Sequence, residues 1–385
     1  MEVKSKPRLH ASWIDPRAKE IVRRLQDKGF TTYLVGGCVR DLLVGIHPKD
    51  YDIATSALPN DVRRLVPASY VIGKRFRLVL VKRGVDQFEV ATFRRSSRPE
   101  DFAEGEESPV GDNFFGTPEE DALRRDFTVN ALFYDPIRDE LIDYANAMAD
   151  IESQTLRMIG DPSVRVAEDP IRALRAIRLA HKIGFRIEPG LRQAISEQTE
   201  AVGKSILPRR REEYLKFLRL REPSRAFLEM WDLGLIQTCL PSLVPIFEDP
   251  NRLEIFINYL DRMDELCWNK DVTIELYMPL VLAFDEATKD IPNLEQRREQ
   301  LFRMELGLFK AEAAEIMAAF ETKSRLQAVD SFKKRGARRQ SAFLSQPILP
   351  LALRVAAFEK ELPPSHLWFW MERLMPPLQS QSESK

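Results

Sequence analysis

The sequence is poor in the residues that build the commoner metal and redox centres. Its three cysteines, Cys38, Cys239 and Cys267, lie far apart and in no CxxC pair, so neither a disulfide framework nor a cysteine zinc site is expected. Its four histidines, His10, His47, His181 and His366, lack ligand spacing, and each reads as a surface or packing residue. No run approaches the roughly 18 uninterrupted apolar residues of a membrane span. The opening stretch MEVKSKPRLHASW is basic but has no apolar centre, so no secretory signal is expected there. These absences predict a soluble, cytoplasmic chain that makes no use of a membrane. No segment repeats at a fixed period either.

What is present is ample core material. Of 385 residues, 44% are hydrophobic and 30% charged, which excludes a wholly disordered chain, and the length suggests two or three domains. The net charge of -1 hides an asymmetry. Residues 100–121 hold nine acids and no Lys or Arg, whereas 157–225 hold sixteen Lys plus Arg against nine acids, a net of +7. A basic middle segment in a neutral chain suits a polyanion-binding groove, although solvated helix faces also collect arginines.

Apolar spacing predicts a helix from Ile14 to Lys28, stopped by Gly29. Short β-rich runs follow at Thr31–Val35, Tyr51–Thr55, Leu78–Val81, Gln87–Phe93 and Thr128–Tyr134, with helical stretches between them. Residues 96–113 hold Pro, Gly, Ser and acids without periodicity and read as an inserted loop of open role. After Gly160 helical patterns take over: 166–183, 191–202, 212–220, 224–233 and onward. The QSQSESK tail reads as frayed. The expected fold is therefore α+β, a small sheet-based head over residues 1–155 followed by all-helical segments at 156–225 and 226–385.

Five segments carry candidate chemistry. In Tyr33-Leu34-Val35-Gly36-Gly37-Cys38-Val39-Arg40-Asp41 a strand runs through a Gly-Gly turn into a helix. The glycines admit a phosphate close to the backbone, the helix start offers free N–H groups, and Arg40 adds a cation. A Gly-Gly turn also arises from turn geometry alone. In Asp50-Tyr51-Asp52-Ile53 a strand would place both carboxylates on one face and send Tyr51 and Ile53 to the core. Paired acids suit Mg²⁺, and an exposed polar strand end is the plainer alternative. Glu89 interrupts an otherwise apolar strand; beside the Asp50 strand it would complete a three-acid site able to hold two Mg²⁺ ions. In Arg124-Arg125-Asp126-Phe127-Thr128-Val129-Asn130-Ala131-Leu132, Arg125 can meet a triphosphate or ribose, with Asp126 to orient it, or the two form a surface ion pair. In Glu168-Asp169-Pro170-Ile171-Arg172-Ala173-Leu174-Arg175-Ala176-Ile177-Arg178, Asp169 caps a helix on which Arg172, Arg175 and Arg178 step round by about 60° each to form a basic ridge.

Together, and in this order, the five segments resemble the motifs of the class II RNA nucleotidyltransferases, the family of tRNA CCA-adding enzymes and bacterial poly(A) polymerases. The resemblance runs from Tyr33 to Arg225. It implies that Asp50 and Asp52 are the metal-binding catalytic pair and Glu89 the third acid. It implies that Gly36, Gly37, Arg40, Arg125 and Asp126 handle the phosphates and sugar, and that Asp169 and Arg172 read the base with Arg175 and Arg178 beside them. It further implies two Mg²⁺ ions, ATP as substrate (with CTP in the CCA-adding alternative), and RNA 3′ ends of mRNA, small RNA or tRNA as acceptors. Arg209, Arg210, Arg211, Lys333, Lys334 and Arg335 are expected to contact RNA, on a head, neck, body and tail architecture. The segments 71–78, 112–121 and 333–339 resemble the poly(A) polymerase branch. Leu80 departs from it, standing where histidine is usual, and no long basic C-terminal extension follows. A non-catalytic RNA-binding protein is the alternative from another class.

Overall fold

The computed structural model describes residues 3–5, 9, 11–73, 78–97, 114–263 and 268–374. Residues 74–77, most of the acidic loop with Asp112 and Asn113, Cys267 and the QSQSESK tail lie outside the described residues. By packing, the chain forms two compact units, 1–198 and 199–385.

The first unit comprises β1 (Val3–Ser5), α1 (Pro16–Gln26), β2 (Thr32–Val35), α2 (Gly37–Leu43), β3 (Asp52–Thr55), α3 (Pro59–Leu65), β4 (Ser69–Ile72), β5 (Leu78–Arg83), β6 (Asp86–Thr92), β7 (Arg94–Arg95), β8 (Phe114–Phe115), α4 (Pro118–Leu123), β9 (Leu132–Asp135), β10 (Glu140–Asp143), α5 (Ala147–Glu152), β11 (Thr155–Leu156), α6 (Pro162–Glu168), α7 (Ile171–Ile183), β12 (Arg186–Ile187) and α8 (Pro189–Glu197). Eight strands form one sheet in the order β1-β10-β9-β2-β3-β6-β5-β4. Every neighbouring pair is antiparallel except β3 and β6, which run parallel.

Alternation gives the sheet two different faces. Leu34, Ile53, Val79, Val81, Phe88 and Val90 bury against the apolar sides of α1, α2 and α3. Helix α1 is started by Asp15, whose carboxylate accepts from the Arg17 N–H at 2.8 Å, and it buries Ala18, Ile21, Val22 and Leu25. Tyr51 joins the same core. The opposite face carries a smaller cluster with Val35, Ala54, Phe93 and Phe133, and on that face Asp52 is two residues from Ala54. One layer is thus fully committed to packing, and the other has room for a site.

Three departures from the sequence expectation have local causes. The run Thr128–Tyr134 begins as a 3-10 turn, Thr128–Asn130, before β9, because the Thr128 hydroxyl donates to Asp150 Oδ2 at 2.7 Å and its N–H to the Arg157 carbonyl at 3.0 Å. The helix expected over 166–183 breaks into α6 and α7 at Asp169-Pro170, where proline has no N–H to continue the ladder. Strands β1, β4 and β10 are too short and too polar to stand out by alternation.

The second unit is helical throughout its described length. Edge-on aromatic contacts link Tyr214, Phe217, Phe227 and Phe256 in its core. A separate cluster gathers Phe332, Phe343 and Trp370, with the Trp370 indole donating to the Leu326 carbonyl at 2.8 Å. Among the described residues no single helix is long and apolar enough to cross a membrane.

Candidate active site

The site starts at the end of β2. Antiparallel register sets Val35 opposite Asp52, so the strand that leads into the Gly36-Gly37 turn delivers that turn beside the acid. Gly36 has φ +72°, and a Cβ there would stand 2.8 Å from Arg125 Nη1. The backbone therefore demands glycine, and any side chain would also displace the Arg125 guanidinium.

On β3 and β6, Asp52 and Glu89 are register partners. Matched positions on adjacent strands project from the same face, with strands about 4.8 Å apart. Asp50 departs from the expected geometry: β3 begins at Asp52, so Asp50 belongs to the preceding loop rather than to the strand. Both aspartates nevertheless line one hollow of about 260 Å³, together with Gly37, Lys49 and Lys182. Asp52 is open to this space but walled by protein. Burial, then the negative charges of Glu89 and Asp50, push its pKa up to about 6, against the opposing pull of Arg125.

Among the described residues no three His, Cys, Asp or Glu side chains form a ready-made metal-holding group. The donor chemistry still fits a hard divalent cation. Carboxylate oxygens are its usual ligands, and an acid raised by like charges is relieved by a cation between them.

A larger pocket, about 460 Å³, shares Gly37, Arg40 and Asp52 with that hollow. It brings together Gly36, Arg125, Asp126, Asp169, Arg172 and Arg175 from the expected set, and adds Arg124 and Asn130. Arg178 is half-buried on α7 and is not among its lining residues. Five arginines and three aspartates make the walls cationic, which suits a polyphosphate.

Each arginine is held from behind. Asp121 is buried; its Oδ1 accepts from Arg124 Nε at 3.0 Å and Nη2 at 2.9 Å, and its Oδ2 from Arg125 Nη2 at 2.9 Å. Burial alone would raise the Asp121 pKa, but Arg125 and Arg124 outweigh it and hold this carboxyl below its usual range. Arg125 also donates to the Asn130 carbonyl at 3.3 Å and lies 5.4 Å from the centre of the Phe133 ring. Arg40 is buried, clasps Asp41, and donates to the Asn130 side chain.

At the start of α7, Pro170 takes the N-cap position expected for Asp169, whose Oδ1 accepts from the Ile171 N–H at 3.3 Å. Arg172 donates to Asp126 Oδ1 and Glu168 Oε2, each at 2.9 Å, and Arg175 pairs with Asp126 Oδ2 at 2.6 Å. Asp126 is thus a common anchor for both α7 arginines. The sequence reading missed Asp121, Asn130 and Lys182 as supports. The signal was present for the first two, which lie within or next to quoted motifs.

The expected RNA contacts lie in the second unit and are not alike. Arg209 is exposed, as are Lys333 and Lys334. Arg335, half-buried, lines a basin of about 560 Å³ with Arg325 and Arg339. Arg210 is a correction: it is 7% exposed and donates to the Cys239 carbonyl at 3.4 Å, because its turn of the helix Leu207–Phe217 faces the core. Arg211 is largely covered, paired with Glu312 at 2.6 Å and stacked 4.3 Å from the Phe309 ring centre.

Residues 32–157 match the poly A polymerase head domain, and residues 184–247 match the "probable RNA and SrmB-binding site of polymerase A". Poly(A) polymerase I of Haemophilus influenzae is 39% identical over 258 residues, 64% of this chain and 57% of that protein. A CCA-adding enzyme of Lactobacillus helveticus is 38% identical over 200 residues, 52% of this chain and 49% of that protein. The chain spans about half the length of the curated relatives it matches. The crystal structure of the Bacillus stearothermophilus CCA-adding enzyme in complex with CTP superposes with TM-score 0.67 at 25% identity, covering 93% of this chain and 81% of that one. The Thermotoga maritima CCA-adding enzyme complexed with tRNA shares the fold, with TM-score 0.60 at 21% identity over 97% of this chain and 86% of that one. With the Gly-Gly turn, the Asp52–Glu89 pair and the arginine pocket in the matched segments, residues 32–157 are a poly A polymerase head domain, and the chain is similar to bacterial poly(A) polymerases and tRNA CCA-adding enzymes.

Proposed function

We propose that this chain adds AMP from ATP to RNA 3′ ends and releases pyrophosphate, acting in the cytoplasm on mRNA, small RNA or tRNA. The observation that carries the reading is the register of Asp52 with Glu89 beside a pocket walled by arginines. Asp50, Asp52 and Glu89 would hold two magnesium ions. When bound, magnesium supplies acidity at the RNA 3′-hydroxyl and charge neutralisation at the triphosphate. No histidine base is needed.

The protein's part is to bind, orient and discriminate. Arg40 and Arg125, fixed from behind by Asp41, Asn130 and Asp121, would receive the phosphates and sugar without reorganising. Asp169 and Arg172 would read the base: adenine presents a 6-amino donor beside an N1 acceptor, which a carboxylate and a guanidinium complement, whereas guanine reverses the pattern. Arg178 would support this end of α7, and Arg209, Lys333, Lys334 and Arg335 would draw in RNA by charge.

The longer poly(A) polymerase matches, 242–258 residues against 200–223 for the CCA-adding enzymes, support ATP over mixed nucleotide use. CCA addition with CTP and ATP is the second reading, favoured by Leu80, which stands in register with Glu89 where the polymerase pattern has histidine. The deciding assay offers a tRNA lacking its CCA end and an unstructured oligonucleotide, each with ATP alone and with ATP plus CTP. Long ATP-only tails support polyadenylation. CTP-dependent addition of three nucleotides supports the second reading, and no extension of either RNA refutes both.

A further inference from the structure

Lys182 stands near the end of α7, four residues beyond the Glu168–Arg178 segment and far in sequence from the Gly-Gly turn and Arg40. Its ammonium donates to Asp41 Oδ2 at 2.8 Å. Asp41 Oδ1 accepts from Arg40 Nε at 2.8 Å and Nη2 at 2.5 Å, and Arg40 Nη1 donates to the Asn130 side chain. Arg40 and Asp41 are each only 5% exposed, and Arg40 lines the large pocket. The three side chains therefore form one chain of contacts from α7 to the pocket wall.

Charge gives that chain a purpose. Arg40 and Asp41 alone are a neutral pair, and a neutral pair buried in the wall offers a triphosphate little attraction. Lys182 leaves the group with one net positive charge, in surroundings where screening is weaker than at an open surface. It also occupies the second oxygen of Asp41, which fixes the carboxylate and with it the plane of the guanidinium. Arg175 and Lys182 are seven residues apart, two helical turns within about 20°, so they share one side of α7. The helix that carries pocket arginines at its start thus braces a further pocket arginine from its end.

We propose that Lys182 is a positioning residue for triphosphate binding: through Asp41 it fixes Arg40 in the pocket wall and supplies the charge that Asp41 would otherwise cancel. The inference rests on the pocket's being the nucleotide site. The test is equilibrium binding of α,β-methylene-ATP and of adenosine, without RNA, to the full chain and to Lys182→Met, Lys182→Gln and Lys182→Arg, with thermal melting to establish folding. Both neutral variants should bind the analogue about tenfold more weakly and adenosine within about twofold of wild type, while Lys182→Arg retains most of the analogue affinity. A wild-type chain that binds the analogue no better than adenosine overturns the nucleotide-site reading and this proposal with it. A wild type that prefers the analogue, with neutral variants that keep the preference, overturns the role of Lys182 alone.

Discussion

Asp52 and Glu89 face each other across the one parallel strand pair of the eight-stranded sheet, each the register partner of the other. Two acids in that relation repel, and nothing in the packing of the sheet requires them there. Val35 and Leu80 flank them in the same row, so apolar residues would satisfy the fold. The pair reads as a cost in stability retained for chemistry.

That cost has a pH signature. The folded-state pKa of Asp52 is pushed up to about 6 from 3.8, so the folded state holds this proton more tightly than the unfolded chain does. The strain is therefore absent below about 3.8 and grows as pH rises through about 6. A divalent cation should relieve it by competing with the proton. We expect the magnesium concentration for half-maximal activity to be higher at pH 6 than at pH 8, and magnesium to raise the melting temperature more at pH 8. A magnesium requirement independent of pH would contradict the assignment.

Gly36→Ala should be worse than an ordinary glycine substitution. It places a side chain at φ +72° and a Cβ 2.8 Å from Arg125 Nη1. The backbone strain alone amounts to about 1–2 kcal/mol, and the displaced guanidinium should weaken nucleotide binding as well. Melting temperature and ATP-analogue affinity should fall together; an unchanged affinity would detach Arg125 from the nucleotide.

Asp121→Ala should destabilise the head by about 3 kcal/mol, because it leaves Arg124 and Arg125 without their shared buried acceptor. The Asp121 pKa is lowered in the fold, so its contribution is present above the unfolded value of 3.8 and is lost as pH falls through the folded one. The mutant should accordingly lose its deficit relative to wild type in strong acid, a difference that paired melting curves would register.

Much of the head was legible because its elements obey simple periodicities. The α1 stripe, the β2 and β6 runs and the Gly-Gly turn can each be read from neighbouring residues. The pairing of β3 with β6 could not, since parallel register is set by distant segments and no local pattern announces it. The same limit applies to charge. Arg210 and Arg209 are adjacent in sequence and equally basic, yet one is turned into the core and the other to solvent. Asp41 and Lys182, 141 residues apart, meet only in the folded chain.

Arg172→Ala and Asp169→Ala should relax base choice more than they slow the chemistry. Arg172 is oriented by Asp126 and Glu168 rather than by Asp169, so Asp126→Asn should reproduce part of the Arg172→Ala effect. Competition between ATP, CTP and GTP for incorporation measures this directly. Unchanged preference in all three variants would rule out α7 as the reader of the base.

The central claim is that Asp52, with Glu89 and Asp50, holds the ions for nucleotidyl transfer. Its most direct test is extension of a 5′-labelled RNA by wild type and Asp52→Ala in magnesium and ATP, with pyrophosphate release followed in parallel. The account predicts extension matched by pyrophosphate in the wild type, and a loss on the order of 10³-fold or more in a variant that melts no lower than wild type. Extension that survives in Asp52→Ala would contradict it.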